Sequence, residues 1–256
     1  MSFVHGNNLE QKENHKTKYR DEISRQYLKE IRARYDQWNS ENLALKGPFS
    51  NHSEHDSEII KKRVKLLNEY KDFLDQQHYA EKFDSRSNLH SSVLEEFLYF
   101  LFKDVVNDIS EDALIGKCHA FKDIFFRPSN FKMMVSKIES SIEKKDHDFA
   151  IGVSVLSSLQ CKGVKQPEFD QWDIPAVAIE CKTYLDKTML QDASTAAEQL
   201  KQKNPNAMYI VLAEWLKLTD SVNLKKFKID QIYVLRKQKN TDREFRYEDS
   251  YVKNSL

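Results

Sequence analysis

The chain has 256 residues, which is enough for one large domain or for one domain with an appended helical region. Lysine plus arginine equals aspartate plus glutamate at 40 each, so net charge does not indicate nucleic-acid binding and any basic surface must come from local clusters. Glycine occurs only five times and no glycine-rich phosphate-binding motif is present, which argues against nucleotide-binding proteins of that class.

The cysteines and the amino terminus indicate the compartment. The three cysteines, Cys118, Cys161 and Cys181, are odd in number and none belongs to a Cys-x-x-Cys pair. This favours free thiols in an intracellular protein over a disulfide scaffold or a zinc module. The segment from Met1 to Arg20 is too polar for a signal peptide, and no stretch approaches the about 20 apolar residues of a membrane span. We therefore expect a cytoplasmic protein without a membrane segment.

The first 84 residues are predicted to be mainly helical. Residues 1–16 are polar and are expected to be loosely structured. Apolar residues recur at helical spacing from Tyr19 to about Ser40, and a second helix is predicted from Ser57 through Leu74. Both helices carry basic side chains, which are either solvated or contact DNA or a partner: Lys16, Lys18, Arg20, Arg25, Lys29, Arg32 and Arg34 in and just before the first, and Lys61, Lys62, Arg63 and Lys65 in the second.

A third helix, from Ser91 to Phe102, is apolar nearly all round and is therefore predicted to be buried. Two adjacent glutamates, Glu95 and Glu96, lie in its first turns. They either favour the helix amino terminus through its dipole, or one of them faces a functional site. The sequence alone does not orient this helix.

A buried strand ending in charged residues is the main functional signal. Pro175 suits the start of a strand, and the apolar run from Ala176 to Ile179 is typical of a strand covered on both faces. Side chains alternate along a strand, so Glu180 and Lys182 point to the same side, about 7 Å apart. Two charges at the end of an apolar element are costly unless they are paired or bind a metal.

A second strand supplies another carboxylate. It is predicted from Asp148 to about Leu159, and pairing with the first strand would bring Asp148 to the same end of the sheet as Glu180. Two carboxylates can share a Mg²⁺ ion, and a neighbouring lysine can orient or deprotonate an attacking water. Asp170 is a minor alternative for this carboxylate. Asp173 is rejected, because it lies at the opposite end of the strand, roughly 23 Å from Glu180.

The downstream chain completes an α/β (α+β) core. A helix starting near Thr188 and a strand at residues 207–213 form a βαβ unit with the Glu180 strand, and residues 229–237 are predicted to extend the sheet. Residues 113–145 are mixed: a turn is expected at 127–130 and a short helix at 131–142, with no clear element before them. Residues 163–173 are expected to form a loop. The predicted organisation is a helical region at 1–84, a mixed sheet flanked by helices at 85–238, and a charged tail at 239–256.

The pattern of Asp148, a gap, an apolar strand and Glu180-x-Lys182, in this order of elements, resembles the PD-(D/E)XK nuclease superfamily. The sequence departs from the motif at His147, which stands where the pattern has proline. Within the superfamily, residues 145–152, 179–190 and 229–236 resemble the type II restriction endonucleases BbvCI and Bpu10I. The resemblance covers about residues 90–238, and residues before it are not matched.

This resemblance implies a type II site-specific deoxyribonuclease subunit of the bacterial cytoplasm, which hydrolyses phosphodiesters of double-stranded DNA with Mg²⁺. Asp148 and Glu180 would bind one or two ions, with the main-chain carbonyl of Cys181 as a further ligand, and Lys182 would position the attacking water. The superfamily often adds a carboxylate from the preceding helix, and here Glu96 is preferred over Glu95. Cutting both strands would need a second subunit, identical or different.

Three other interpretations fit the same sequence. One is a PD-(D/E)XK repair nuclease that recognises no sequence or recognises a DNA structure. Another is a DNA-binding subunit without catalysis, in which Glu180 and Lys182 form only a buried ion pair. The last is a helical interaction protein, which would leave the charges at the sheet edge unexplained.

Overall fold

The structure is a computed structural model that describes residues 3–49, 54–83, 88–218 and 222–236. The predicted tail at 239–256 lies outside these ranges. The elements are α1 (Val4–Glu13), α2 (Glu22–Ala44), α3 (Glu54–Leu74), α4 (Gln77–Lys82), α5 (Ser92–Ile109), β1 (Leu114–Phe126), α6 (Phe131–Ser136), β2 (Ser140–Leu159), β3 (Glu168–Leu185), α7 (Lys187–Lys203), β4 (Met208–Leu216) and β5 (Gln231–Val234). Within the described residues, no helix is both long and apolar enough to span a bilayer.

The strands form a mixed sheet in the order β1-β2-β3-β4-β5. β1, β2 and β3 pair antiparallel in succession, whereas β3, β4 and β5 pair parallel. Helix α7 connects β3 to β4, because parallel neighbours need a crossover of this kind. The prediction of a mixed sheet flanked by helices, with a helical amino-terminal region, is confirmed.

Each face of the sheet is covered by a different helical layer. On one face, α7 packs its alanines against small side chains of β2, β3 and β4, including Ala150, Ala178 and Ala213. On the other face, Phe149, Ile179 and Leu212 belong to one core together with α5 and the amino-terminal helices. The sheet is therefore covered on both sides where α5 and α7 pack on it, and polar groups there must find partners or a solvent-accessible edge.

The expectation that residues 1–16 are loosely structured is wrong for residues 4–13. These form α1, in which Leu9 is fully buried, and the ring of His5 bonds to Tyr70 Oη at 2.6 Å and Ser92 Oγ at 2.9 Å. A Cβ at Gly6 would meet the Tyr35 hydroxyl at 2.4 Å, so the close approach of α1 to α2 requires glycine here. Helix α1 was not predicted from the sequence, because few residues of α1 are apolar and its buried groups are mostly polar.

Three other local predictions also differ from the structure. The mixed segment 113–130 contains the long strand β1, and the helix expected at 131–142 ends at Ser136. The expected loop at 163–173 becomes strand from Glu168, whose carboxylate accepts hydrogen bonds from the main-chain N–H groups of Glu139 and Ser140 at 3.0 and 2.7 Å. These elements are fixed by contacts distant in sequence, which local apolar periodicity does not report.

Arg63 corrects the interpretation of α3 as a basic surface. It is fully buried, and its guanidinium donates to the carbonyl oxygens of Asn42, Leu45 and Gly47 at 2.9 to 3.0 Å. These carbonyls lie at and just beyond the end of α2, where a helix leaves its last acceptors without intrahelical partners. Arg63 therefore caps α2 from the neighbouring helix and is not available to DNA.

Candidate active site

A β-bulge places Asp148 at the point where β2 and β3 separate. Gly116 pairs with Ala150 and Cys118 with His147, so two residues of β2, Asp148 and Phe149, lie opposite one residue of β1. A bulge of this kind bends the strand and changes the direction of a side chain. The pairing of β2 with β3 ends at Phe149, and Asp148 Oδ2 instead accepts a hydrogen bond from the Cys181 N–H at 2.9 Å.

Glu180 and Lys182 lie beside Asp148 on the continuing strand β3. Lys182 Nζ is 2.6 Å from Glu180 Oε1 and 3.8 Å from Asp148 Oδ2. All three side chains are partly exposed, between 20% and 32%, so the cluster is open to a ligand from solvent. The structure therefore brings together the three residues on which the sequence-based hypothesis depends.

The electrostatics of the cluster favour one protonation state for the lysine. Burial and the nearby Glu180 carboxylate raise the pKa of Asp148 above its ordinary value. Burial alone would lower the pKa of Lys182, but the Glu180 and Asp148 carboxylates outweigh it and raise that pKa. Lys182 is thus an ammonium group at neutral pH, suited to holding a water or a phosphate by donation and unsuited to removing a proton.

The preference for Glu96 over Glu95 is corrected by the orientation of α5. Glu96 is 1% exposed and faces the amino-terminal helices, where it accepts from the main-chain N–H of His5 at 2.8 Å and from Tyr35 Oη at 2.9 Å. Glu95 faces the cluster: burial, and then the charge of Asp148, raise its pKa to about 8. Glu95 and Glu96 therefore point to different sides of α5, one towards the cluster and the other towards the amino-terminal helices.

Sequence reasoning missed two side chains that contact Glu180 or lie next to Asp148. Tyr209 in β4 donates its hydroxyl to Glu180 Oε2 at 3.3 Å, and its ring lies 5.6 Å from that of His147. His147 is 2% exposed, neither of its ring nitrogens has a hydrogen-bond partner, and burial lowers its pKa. His147 is therefore a neutral, buried imidazole at the position where the motif has proline. The feature that could have identified Tyr209 is its position in β4, two residues before Val211, which pairs with Glu180.

The rival carboxylates are occupied elsewhere. Asp170 pairs with Lys144 at 2.8 Å. Asp173 accepts from the His119 N–H and from Ser154 Oγ, both at 2.7 Å, and so joins β1, β2 and β3. Neither belongs to the cluster around Lys182.

The donor set suits a hard cation that keeps much of its water. Among the residues described, no group of three or more His, Cys, Asp or Glu side chains is arranged to hold a metal ion. Asp148 and Glu180 offer two carboxylates without sulfur or imidazole ligands, which is the chemistry that Mg²⁺ prefers. Burial, and then the Glu180 carboxylate, raise the pKa of Asp148, whereas Lys182 and the Cys181 N–H act in the opposite direction.

Comparison with known proteins identifies the family of the chain. The family model described as Bpu10I restriction endonuclease matches residues 86–254. The chain belongs to the Bpu10I restriction endonuclease family. Comparison with curated proteins gave no match.

A solved structure shows that the likeness in fold extends beyond the residues matched by the Bpu10I family model. The structure described as the native BbvCI A2B2 tetramer at low resolution aligns with a TM-score of 0.67 and 21% identity, over 95% of this chain and 86% of that chain. At this identity the likeness concerns the fold alone. It covers most of residues 1–84 as well, so the helical region shares the fold of the BbvCI chain.

Proposed function

We propose that the chain is a Mg²⁺-dependent catalytic subunit of a Bpu10I-family type II restriction endonuclease, with Asp148, Glu180 and Lys182 as its catalytic residues. The observation that carries the proposal is the position of Lys182, within 2.6 Å of one carboxylate and 3.8 Å of another where β2 and β3 separate. A family model of restriction endonucleases matches the chain across this site.

Asp148 and Glu180 would hold the Mg²⁺, with the main-chain carbonyl of Cys181 as a further ligand. When bound, the ion would supply Lewis-acid polarisation of the scissile phosphate. The position of both carboxylates beside the Lys182 ammonium supports this assignment, because it places the two groups around one point that is open to solvent.

The remaining chemistry belongs to side chains of the chain itself. The Lys182 ammonium would orient the attacking water and reduce the negative charge that develops on the phosphate. Tyr209 would hold Glu180 in place through its 3.3 Å hydrogen bond. Glu95, not Glu96, would be the helix carboxylate at the site, and its pKa of about 8, raised by burial and then by Asp148, makes it protonated at neutral pH in the metal-free cluster.

A second subunit follows from the single cluster found in the described residues. One cluster of this kind cuts one strand, so cleavage of double-stranded DNA requires another catalytic subunit. BbvCI is described as an A2B2 tetramer, and we propose that this chain likewise works with a second endonuclease subunit. The enzyme would act in the bacterial cytoplasm, where its DNA substrate is present.

The test is cleavage of supercoiled plasmid DNA with Mg²⁺ by wild type, Lys182→Ala and the control Lys203→Ala. Lys203 is an exposed lysine in the last turn of α7 and belongs neither to the cluster nor to the basic helices of the amino-terminal region. We expect wild type and the control to nick or cut at discrete positions. Lys182→Ala should be slower by roughly 100-fold or more, because it loses the group that positions the water.

Two results would contradict the proposal in different ways. Equal cleavage rates for Lys182→Ala and wild type would show that the cluster does not take part in catalysis. A continuous smear of products instead of discrete bands would indicate a nuclease without sequence specificity. Gel-shift binding of the same plasmid fragments by Lys182→Ala separates loss of chemistry from loss of DNA binding.

A further inference from the structure

A second lysine, Lys117 of β1, lies beside the cluster and has no role in the function proposed above. It is the residue of β1 that stands opposite Asp148 and Phe149 at the β-bulge. The preceding residue, Gly116, has a φ of +122°, a backbone conformation that favours glycine, so the sequence itself suits the irregular pairing here. Lys117 is exposed, and it forms no ion pair with any of the residues that the structure describes.

Lys117 and Lys182 approach the carboxylates from opposite faces of the sheet. Side chains alternate along a strand, and Cys118 belongs to the core on the α7 face, so Lys117 points to the α5 face. Lys182 pairs with one oxygen of Glu180, and the other oxygen of Glu180 accepts from Tyr209, which belongs to the core on the α7 face. The cluster therefore has one ammonium group on each face.

The electrostatics of two carboxyl groups agree with this position of Lys117. Burial and then Asp148 raise the pKa of Glu95 to about 8, and Lys117 opposes them more strongly than Lys182 does. Burial and then Glu180 raise the pKa of Asp148, and Lys117 again acts in the opposite direction. Lys117 is therefore close enough to interact with the carboxyl groups of both α5 and β2.

The charge balance of the cluster leaves Lys117 without a counter-ion once a divalent cation is added. With Glu95 protonated, the carboxylates of Asp148 and Glu180 balance the ammonium groups of Lys182 and Lys117. A divalent cation adds two positive charges, so that even if Glu95 then ionises, three negative charges face four positive ones. An exposed ammonium group with this surplus suits a phosphate, which lysine binds as a point charge.

We propose that Lys117 binds a phosphate of the DNA strand that is cut, next to the phosphate that is hydrolysed. The inference rests on the proposed function and deepens it, because it names a DNA-contacting residue on the sheet face opposite Lys182. Lys182 contacts Glu180 directly and so lies at the reacting phosphate. Lys117 makes no such contact, so it reaches the backbone beside that phosphate.

A contact with a neighbouring phosphate has two measurable consequences. It is equally strong before and during the reaction, so its loss raises KM and leaves kcat unchanged. It also releases counter-ions from the DNA, so its loss lowers the slope of log affinity against log salt concentration by roughly 0.9. The effect is the same for every DNA sequence, because a phosphate carries no base information.

The first experiment measures DNA binding by Lys117→Ala, Lys117→Arg and the control Lys203→Ala at several salt concentrations. All three are made in the Lys182→Ala chain, so that a labelled linear plasmid fragment can be used with Mg²⁺. Lys117→Ala should raise the Kd roughly tenfold and lower the salt slope by about one. Lys117→Arg keeps the charge and should restore the slope, and Lys203→Ala, which removes the same charge from the last turn of α7, should match its parent.

The second experiment measures plasmid cleavage by Lys117→Ala in the otherwise wild-type chain. KM should rise roughly tenfold while kcat stays within about threefold of wild type. A fall in kcat at constant KM would overturn the proposal, because it would place Lys117 at the reacting phosphate.

An unchanged salt slope in Lys117→Ala also overturns the proposal, since Lys117 would then act only on the carboxyl groups around it. The same holds if Lys203→Ala lowers the slope equally, because the effect would then belong to net charge. The proposed function fails separately: Lys182→Ala would then cleave like wild type, while Lys117→Ala would still lose salt-dependent affinity.

Discussion

Adjacent glutamates in α5 show how one residue of rotation decides which group serves the site. Glu95 faces the catalytic cluster, whereas Glu96 caps the amino terminus of α1 and accepts the Tyr35 hydroxyl. The two side chains differ by about 100° around the helix axis. Because α5 is apolar on nearly every side, its sequence gave no direction from which to choose between them.

Glu95 makes the stability of the metal-free protein depend on pH. Its pKa is about 8 in the folded chain and near its ordinary value of 4.5 in the unfolded chain. The folded state therefore binds more protons between these values, and stability falls as pH rises through this window. With EDTA, Glu95→Gln should gain stability over wild type, and the gain should be larger at pH 8 than at pH 5.

Urea unfolding at the two pH values measures this difference. Glu198→Gln, at an exposed position of α7, is the control and should show no change in the gap between pH 5 and pH 8. A gain for Glu95→Gln that is the same at both pH values would mean that Glu95 is not protonated in the folded chain. Comparing each variant with wild type cancels the titration of the other carboxylates.

At the scale of elements, the apolar strands and the amphipathic helices were predictable and the polar elements were not. β3, β4 and α7 follow from apolar runs and helical spacing, and these elements carry or support Glu180 and Lys182. The sequence did not predict α1 and β1, and it placed the start of β2 at Asp148 instead of Ser140. The positions of these elements depend on polar contacts, such as that of Glu168 with Ser140. The register that brings Asp148 to Glu180 depends on a bulge, which no local sequence pattern revealed.

Arg63 illustrates a structural charge that a sequence pattern assigns to the surface. Arg63→Met keeps much of the side-chain volume but removes the donors to the carbonyls at and just beyond the end of α2. Asp104, which lies 3.8 Å from Arg63, keeps the Gly47 N–H and Lys103 as partners. We expect a loss of about 3 kcal/mol or more in the free energy of unfolding, because several buried carbonyl oxygens lose their donor.

Guanidinium unfolding checks this value, with Lys62→Met as the matched control. Lys62 is the exposed neighbour of Arg63, and its replacement should change stability by no more than about 0.5 kcal/mol. Similar effects of the two substitutions would contradict the capping role. If α3 makes no contact with the DNA backbone through Arg63, folded Arg63→Met and folded Lys62→Met should bind DNA equally well.

At the scale of the whole molecule, the amino-terminal helices and the sheet share one core. Leu9, Trp38 and Tyr70 belong to the same cluster as Phe149 and Ile179. The hypothesis that residues 1–84 contact DNA or a partner stays a prediction, but their packing already makes them part of the support for α5. The sequence predicted a helical region at 1–84 but not the core that it shares with the sheet, because that core joins residues distant in the chain.

One core predicts one unfolding transition. Far-UV circular dichroism reports the helices, and fluorescence reports Trp38 of α2 together with Trp172 and Trp215 of the sheet, so the two probes should give the same midpoint. Leu9→Ala should lower both midpoints together and reduce the free energy of unfolding by about 2 to 5 kcal/mol, since Leu9 is fully buried. Glu10→Ala, at an exposed position, should leave both unchanged; two separate midpoints would contradict a shared core.

Helix α5 connects the site to the amino terminus of the chain through its two carboxylates. Glu95 belongs to the electrostatics of the cluster, and Glu96, about 100° away around the same helix, holds the first residues of α1. A ligand at the cluster that shifts α5 would change the docking of α1, and by linkage the docking of α1 would change the affinity for that ligand by the same free energy. The residues of α1 that hold Glu96 lie outside the segment matched by the family model.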